Sequence, residues 1–252
     1  MEPTYEVVGD VERFDERDTV FAREALDPDS PEGLAYYTDH PHLRIADRQL
    51  RRFIEDKLDR SRFTWGRASY QTVFSALAHL GLPDCVAGEP VPGRLDIAPE
   101  RGSVVIKYLA RYLGADLVGI AALKPEWVYS HRGARPFFGG QAPNPPLFEG
   151  MPEDYTGGSW GDPIELAHPN AIALAFSQDL DMLRTGPGVA SDLEVGRVYA
   201  RSALVACQVA SFIRSLGYEA RAHHIRNYCV MAVPVAVDAG SVSYTHLRAH
   251  ET

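Results

Sequence analysis

Residues 104–130, VVIKYLARYLGADLVGIAALKPEWVYS, constrain the fold of this chain most, because a rearranged echo of them returns about ninety residues later. The echo is VGRVYARSALVACQVASFIRSLGYEARAHH, residues 195–224. In each copy an apolar-striped helix ends at a leucine followed by a glycine, Gly114 in the first and Gly217 in the second. Glycine just past a helix accepts the left-handed backbone that closes the last turn, so both are stop signals with a mechanism. Each leads into a short apolar or alternating run, 115–122 in the first copy and 218–224 in the second. Helix, glycine, strand, used twice, is the grammar of a layered α/β domain.

The pattern predicts helices over 103–113 and 192–216 packed on one sheet that contains strands at 117–121 and 171–176. The stripes Val105/Tyr108/Tyr112 and Val205/Val209/Phe212/Leu216 are the faces expected to cover it. Ser191 with Glu194 reads as a capping box for the longer helix. Upstream, residues 1–35 read as an extended arm lying on the domain, and 49–58 and 69–80 as helices, the second stopped by Gly81 and Pro83. Residues 84–102 read as a loop and 131–168 as a long irregular insertion of the kind that tends to carry function. Residues 231–238 begin a further helix.

With 252 residues, 45% of them hydrophobic, the chain can bury a full core. A formal charge of −9 argues against phosphate-backbone binding, and no nucleic-acid partner is expected. The densest basic run, 44–62, is matched by Asp47, Glu55, Asp56 and Asp59 and reads as a solvated helix face. No run approaches the roughly eighteen apolar residues of a membrane span, so no transmembrane segment is expected. The acidic start, MEPTYEVVGDVERFDERD, does not read as a signal peptide, which makes the cytoplasm the expected location. Cys85, Cys207 and Cys229 are far apart and form no CxxC, so they build neither a disulfide framework nor a cluster; Cys207 reads as core.

The densest reactive cluster is HHIRNYC, residues 223–229, directly after the second expected strand, where ligands sit in α/β sheets. Tyr228 can donate a proton if a neighbouring cation such as Arg226 lowers its pKa from about 10; otherwise it is a packed tyrosine. His223 and His224 would point to opposite faces of a strand, which disfavours a shared metal. Trp127 and Tyr129 alternate on what reads as an extended segment, one face of which can line a flat apolar cofactor pocket or belong to the core. The glycine pairs form no phosphate cradle, and neither GxSxG nor HExxH occurs.

The phrases FDERDTVFARE, LGADLVGIAALKPEWVYS, HPNAIALAFSQD and SLGYEARAHHIRNYCVMAVPVAVDAG, in that order, resemble the corrinoid-dependent reductive dehalogenase family, closest to its non-exported type, over residues 10–240. The resemblance implies an α+β sandwich of nitroreductase-like form that binds cobalamin, behind a helical N-terminal extension. It also implies two 4Fe-4S clusters, an organohalide substrate and an electron donor of ferredoxin or flavin reductase type. The tyrosine that supplies a proton in that family matches Tyr228; Trp127, Tyr129, His224 and Asn227 are the residues expected at the cofactor. The basic partner of the tyrosine and the cluster cysteines are expected beyond residue 240. Two other readings stay open: a reductase similar to epoxyqueuosine reductase or another corrinoid reductase, and a corrinoid-binding module without redox chemistry.

Residues 242–252, VSYTHLRAHET, match the in-frame translation of a sequencing-library adapter and are expected to be non-native, making no defined contact with the core. The expected division is therefore a helical extension over 1–100, the α/β domain over 101–241, incomplete at its C-terminus, and this tail.

Overall fold

A computed structural model describes residues 9–57, 68, 72–73, 76–77, 79–133 and 160–242. Among them, in chain order, come a 3-10 turn at Glu16–Asp18 and helices α1 (Val20–Ala25), α2 (Pro31–Asp39), α3 (Arg44–Lys57) and α4 (Pro83–Val86). Helix α5 (Pro99–Tyr112) leads to strand β1 (Leu117–Ala122) and a 3-10 turn at Pro125–Trp127. Strand β2 (Asn170–Ala175) is followed by α6 (Leu180–Leu183), the long α7 (Val189–Ser215) and α8 (Ala232–Asp238). The expectations for 134–159 and for the tail at 243–252 lie outside the described residues.

Both glycines of the repeat do what the sequence predicts. Gly114 and Gly217 take positive φ values, 114° and 84°. Each closes the same double cap: Gly114 N bonds Arg111 O and Ala115 N bonds Ala110 O, while Gly217 N bonds Arg214 O and Tyr218 N bonds Ile213 O. Gly240 repeats the device after α8, with φ 65°.

Strands β1 and β2 pair antiparallel, Leu117 opposite Ala175 through Ala122 opposite Asn170. Helices α5 and α7 cover one face of this two-stranded sheet, joining Ala110, Val205 and Val209 with Val118, Ile172 and Leu174. Helix α8 covers the other, joining Val235 with Ala173 and Trp127. Arg201 of α7 locks the corner: it donates to Gly114 O, lies 3.5 Å from Asp116 Oδ1 and sits over the Phe176 ring.

Several expectations are corrected. The second helix–glycine unit has no strand: 218–223 is irregular chain. Around Gly217 the chain lies against the 91–95 loop: Val91 N and Leu95 N donate to the carbonyls of Arg214 and Leu216, and the Tyr218 hydroxyl donates to Leu95 O. The Arg214 guanidinium then takes Ala220 O, which a sheet ladder would otherwise use. The stripe Val105/Tyr108/Tyr112 does not face the sheet; Tyr108 and Tyr112 are 73% and 87% exposed. Helix α5 turns Ile106, Ala110 and Leu113 inward instead, and the small Ala110 lets α7 approach closely.

Ser191 lies inside α7 and caps nothing; the helix begins after Gly188. Buried Glu194 instead accepts from Asp179 N and pairs with Arg197, which holds its carboxyl below the usual carboxylate range. Helix α5 starts at Pro99, earlier than expected, because proline suits a first helical position. Asp47 is not on a solvated face: it is buried, 2.9 Å from Arg23 Nε and bonded by the Tyr37 hydroxyl.

Candidate functional site

Segment 128–132 gathers the site. On one side Tyr129 N donates to Cys229 O at 2.9 Å and Val128 bridges Val230. On the other, Ile164 N bonds Ser130 O and Arg132 N bonds Asp162 O, closing the foot of the long insertion. The N-terminal arm lies on the domain here through Arg13, Phe14 and Glu16, but it is not the extended arm expected: from Glu16 on it is mostly helical, in a 3-10 turn, α1 and α2. Ser130 N bonds Phe14 O, and Arg13 donates to the carbonyls of Val128, Tyr129 and Ile164. Glu16, fully buried, accepts from Gly133 N.

The cluster 223–229 sits in the loop between α7 and α8, not at a strand end. His224 and Asn227 bond each other through their main chains and form a tight turn. His224 Nε2 lies 3.0 Å from Leu80 O, and its Nδ1 faces Arg226 N at 3.4 Å. Asn227 is fully buried; its Nδ2 donates to Gly81 O, and its Oδ1 accepts from Arg221. Both side chains thus tie the turn to the end of the helical stretch before Gly81. His223 turns elsewhere, its Nδ1 accepting from Cys229 N at 3.1 Å. Burial, reinforced by Arg221 and the neighbouring histidines, holds His223 down to about 3; burial holds His224 down to about 4. Both rings are neutral near pH 7.

The premise for Trp127 and Tyr129 does not hold, because Trp127 closes a 3-10 turn and the two do not alternate on an extended strand. Trp127 is buried against β2 and α8, and its indole donates to Asp238 Oδ2 at 2.6 Å. Tyr129 does stand beside Tyr228, their ring centroids 5.9 Å apart, with Phe14 edge-on behind Tyr129 at 6.5 Å. Burial raises the Tyr129 pKa, so its hydroxyl keeps its proton.

Arg132, Arg13 and the acceptor role of His223 were missed from the sequence. Arg132 is 4% exposed and donates to Tyr228 O at 2.8 Å, with Cys229 Sγ 3.5 Å away. Beside it opens a cleft of about 220 Å³ lined by Arg132, Asp162, Ile164, Glu165, Arg221 and Cys229. No periodicity marks Arg13, Arg132 or His223 as site residues, so only their tertiary partners disclose them.

A tetrachloroethene reductive dehalogenase of Desulfitobacterium hafniense is 32% identical over 156 residues, covering 56% of this chain and 28% of that protein. The tetrachloroethene reductive dehalogenase of Dehalobacter restrictus matches to the same extent. Over that stretch the chain is similar to reductive dehalogenases. It spans 28% of the length of these curated relatives. The solved catabolic reductive dehalogenase NpRdhA shares the fold over 95% of this chain and 28% of its own, with a TM-score of 0.63 at 22% identity. Its complex with 3-bromo-4-hydroxybenzoic acid superposes with a TM-score of 0.59, also at 22% identity. No family profile matches the chain.

Against that family, the described residues divide sharply. Cys85 and Cys207 pack in one apolar cluster and Cys229 in another, and no group of metal-ligating side chains forms among the described residues. They do not fit an iron–sulfur cluster. Tyr129 and Tyr228, adjacent rings at the edge of the core, suit the flank of a flat macrocycle. The polar atoms of Trp127, His224 and Asn227 are engaged by the protein itself. No described helix is long and apolar enough to cross a membrane.

Proposed function

We propose that this chain forms the N-terminal and central part of a cytoplasmic, corrinoid-dependent reductive dehalogenase, an oxidoreductase with a nitroreductase-like sandwich that replaces the halogen of an organohalide by hydrogen. The observation that carries the reading is Tyr228. It stands against Tyr129, and its main chain is fixed by Arg132 in the segment whose sequence resembles the family's proton-donating one. In this reading the carbon–halogen bond breaks, halide departs, and the carbon takes up two electrons and one proton. The corrinoid, when bound, supplies the reducing centre, and its electrons come through two 4Fe-4S clusters, held outside the described residues, from a ferredoxin or flavin reductase type of donor.

What this chain's residues do is hold and move the proton. Tyr228 donates from its hydroxyl and is reprotonated from solvent. Tyr129, kept protonated by burial, packs beside it and excludes water from one face of the ring. Arg132 holds the Tyr228 carbonyl. The Tyr228→Phe substitution in the full-length, corrinoid-loaded reductase tests the reading, because phenylalanine keeps the ring and removes the proton. Turnover should fall by roughly a hundredfold or more with corrinoid content unchanged. Full dehalogenation by that variant refutes the assignment.

A further inference from the structure

We propose that Arg132 and His223 are positioning residues for Tyr228: between them they hold both polar atoms of the one peptide group that joins Tyr228 to Cys229, and so set the direction in which the tyrosine ring leaves the main chain. The oxygen of that peptide accepts from Arg132 Nη1 at 2.8 Å. Its N–H donates to His223 Nδ1 at 3.1 Å. The next polar atom along, Cys229 O, accepts from Tyr129 N at 2.9 Å, and the Tyr129 ring lies against that of Tyr228. A peptide held at both ends cannot rotate without breaking one of these half-buried hydrogen bonds, so the backbone torsions on either side of it are fixed.

The two holding groups come from different parts of the chain. Arg132 is brought by segment 128–132, which the N-terminal arm and the 162–164 segment brace. His223 is brought by the loop between α7 and α8. A residue that must deliver a proton along one line gains from such bracing, because small errors of placement are costly in rate. The chemistry of the two sides is complementary: a guanidinium can only donate, and it meets the carbonyl. An imidazole accepts at Nδ1 only when neutral, with its proton on Nε2, and it meets the N–H. The setting favours that form, since burial and the nearby guanidinium groups of Arg221 and Arg132 oppose a positive charge on His223.

The inference rests on Tyr228 being the proton donor, but its structural half is measured separately. Hydrogen–deuterium exchange of the Cys229 amide, followed in this chain without any cofactor, reads the His223 bond directly. His223→Ala removes the acceptor, whereas His223→Asn places a carbonyl oxygen close to where Nδ1 stood. Loss of this one hydrogen bond should speed exchange about tenfold or more in the alanine variant, with the asparagine variant restored close to wild type. If the alanine variant does not fold, His223→Ser, whose hydroxyl is too short to reach the amide, takes its place. Unchanged exchange, or no rescue by asparagine, overturns the clamp. In the full-length reductase, His223→Ala should lower kcat with KM little changed, and should lower it no further in a Tyr228→Phe background. An equal loss in both backgrounds shows that His223 acts on something other than Tyr228 and overturns the positioning role. Full activity of Tyr228→Phe alone refutes the proton-donor reading, while the exchange result still decides the clamp.

Discussion

His224 commits both ring nitrogens to main-chain partners, Leu80 O and Arg226 N, and that use has a measurable consequence for acid stability. Unfolded, a histidine titrates near 6.5; folded, burial and the nearby Arg221 hold His224 down to about 4. Between those values the unfolded chain binds more protons than the folded one. The stability from a neutral His224 is therefore complete above about pH 6.5 and is lost as pH falls toward 4. His224→Gln keeps an N–H donor for Leu80 O without a titrating ring. Urea melts at pH 6.5 and pH 5 should show the wild type losing about 1.5 kcal/mol more than this variant. Equal losses would mean that the neutral ring contributes nothing to acid sensitivity. His223, lowered further, adds a parallel loss that both proteins share.

At the scale of elements, the two glycine stops look alike in sequence and differ in their surroundings. A Cβ on Gly114 would meet only the flexible Arg201 side chain, 3.5 Å away. A Cβ on Gly217 would lie 2.0 Å from Gly93 O, inside a backbone that has no room to give. Both substitutions to alanine incur the left-handed penalty, so Gly114→Ala should cost about 1–2 kcal/mol. Gly217→Ala should cost about 3 kcal/mol or more, because the 91–95 loop must also move. Thermal melts of the two variants check this, and equal shifts would show that the loop adapts freely. The same loop occupies the chain around Gly217, through Arg214 O, Leu216 O and the Tyr218 side chain, where the sequence suggested a second strand. How helix α5 faces its neighbours was also undecidable from its pattern, since Val105/Tyr108/Tyr112 and Ile106/Ala110/Leu113 are both apolar at helical spacing. The contact with α7 selects the second set, because Ala110 is small enough for close packing.

At the scale of the whole molecule, the N-terminal arm is the outer brace of the site. One side chain, Arg13, spans three carbonyls that belong to segment 128–132 and to the far foot of the insertion. Bonds from a charged donor contribute more than neutral ones, so Arg13→Ala should destabilise the chain by about 2–3 kcal/mol. Limited proteolysis should then cut the variant within residues 9–30 well before the wild type, while α5, α7 and the sheet stay resistant. Uniform susceptibility along the chain would mean that the arm is no separate brace. Because Ser130 and His131 also bond the arm, its release should loosen the peptide of Tyr228 as well, linking the first residues of the chain to the candidate proton donor.

Much of this was legible in the chain itself. Glycine after an apolar stripe stops a helix wherever it falls, so Gly114 and Gly217 could be read locally, and so could β1, β2 and the packing of α7 through Val205 and Val209. The similarity to reductive dehalogenases was legible for a similar reason: four phrases in order carry information that does not depend on where they fold to. What local signals do not hold is the choice among partners. Asp47 reads as a solvated acid until Arg23 and Tyr37 close over it. Trp127 and Tyr129 read as neighbours on one face until a 3-10 turn sends the indole into the core. Arg132 and His223, more than ninety residues apart in sequence, become a pair only because segment 128–132 and the loop after α7 meet across the peptide of Tyr228. Local conformation follows from side-chain sterics and capping, which the sequence carries; the direction of a buried polar group follows from whichever donor or acceptor the completed fold brings within reach.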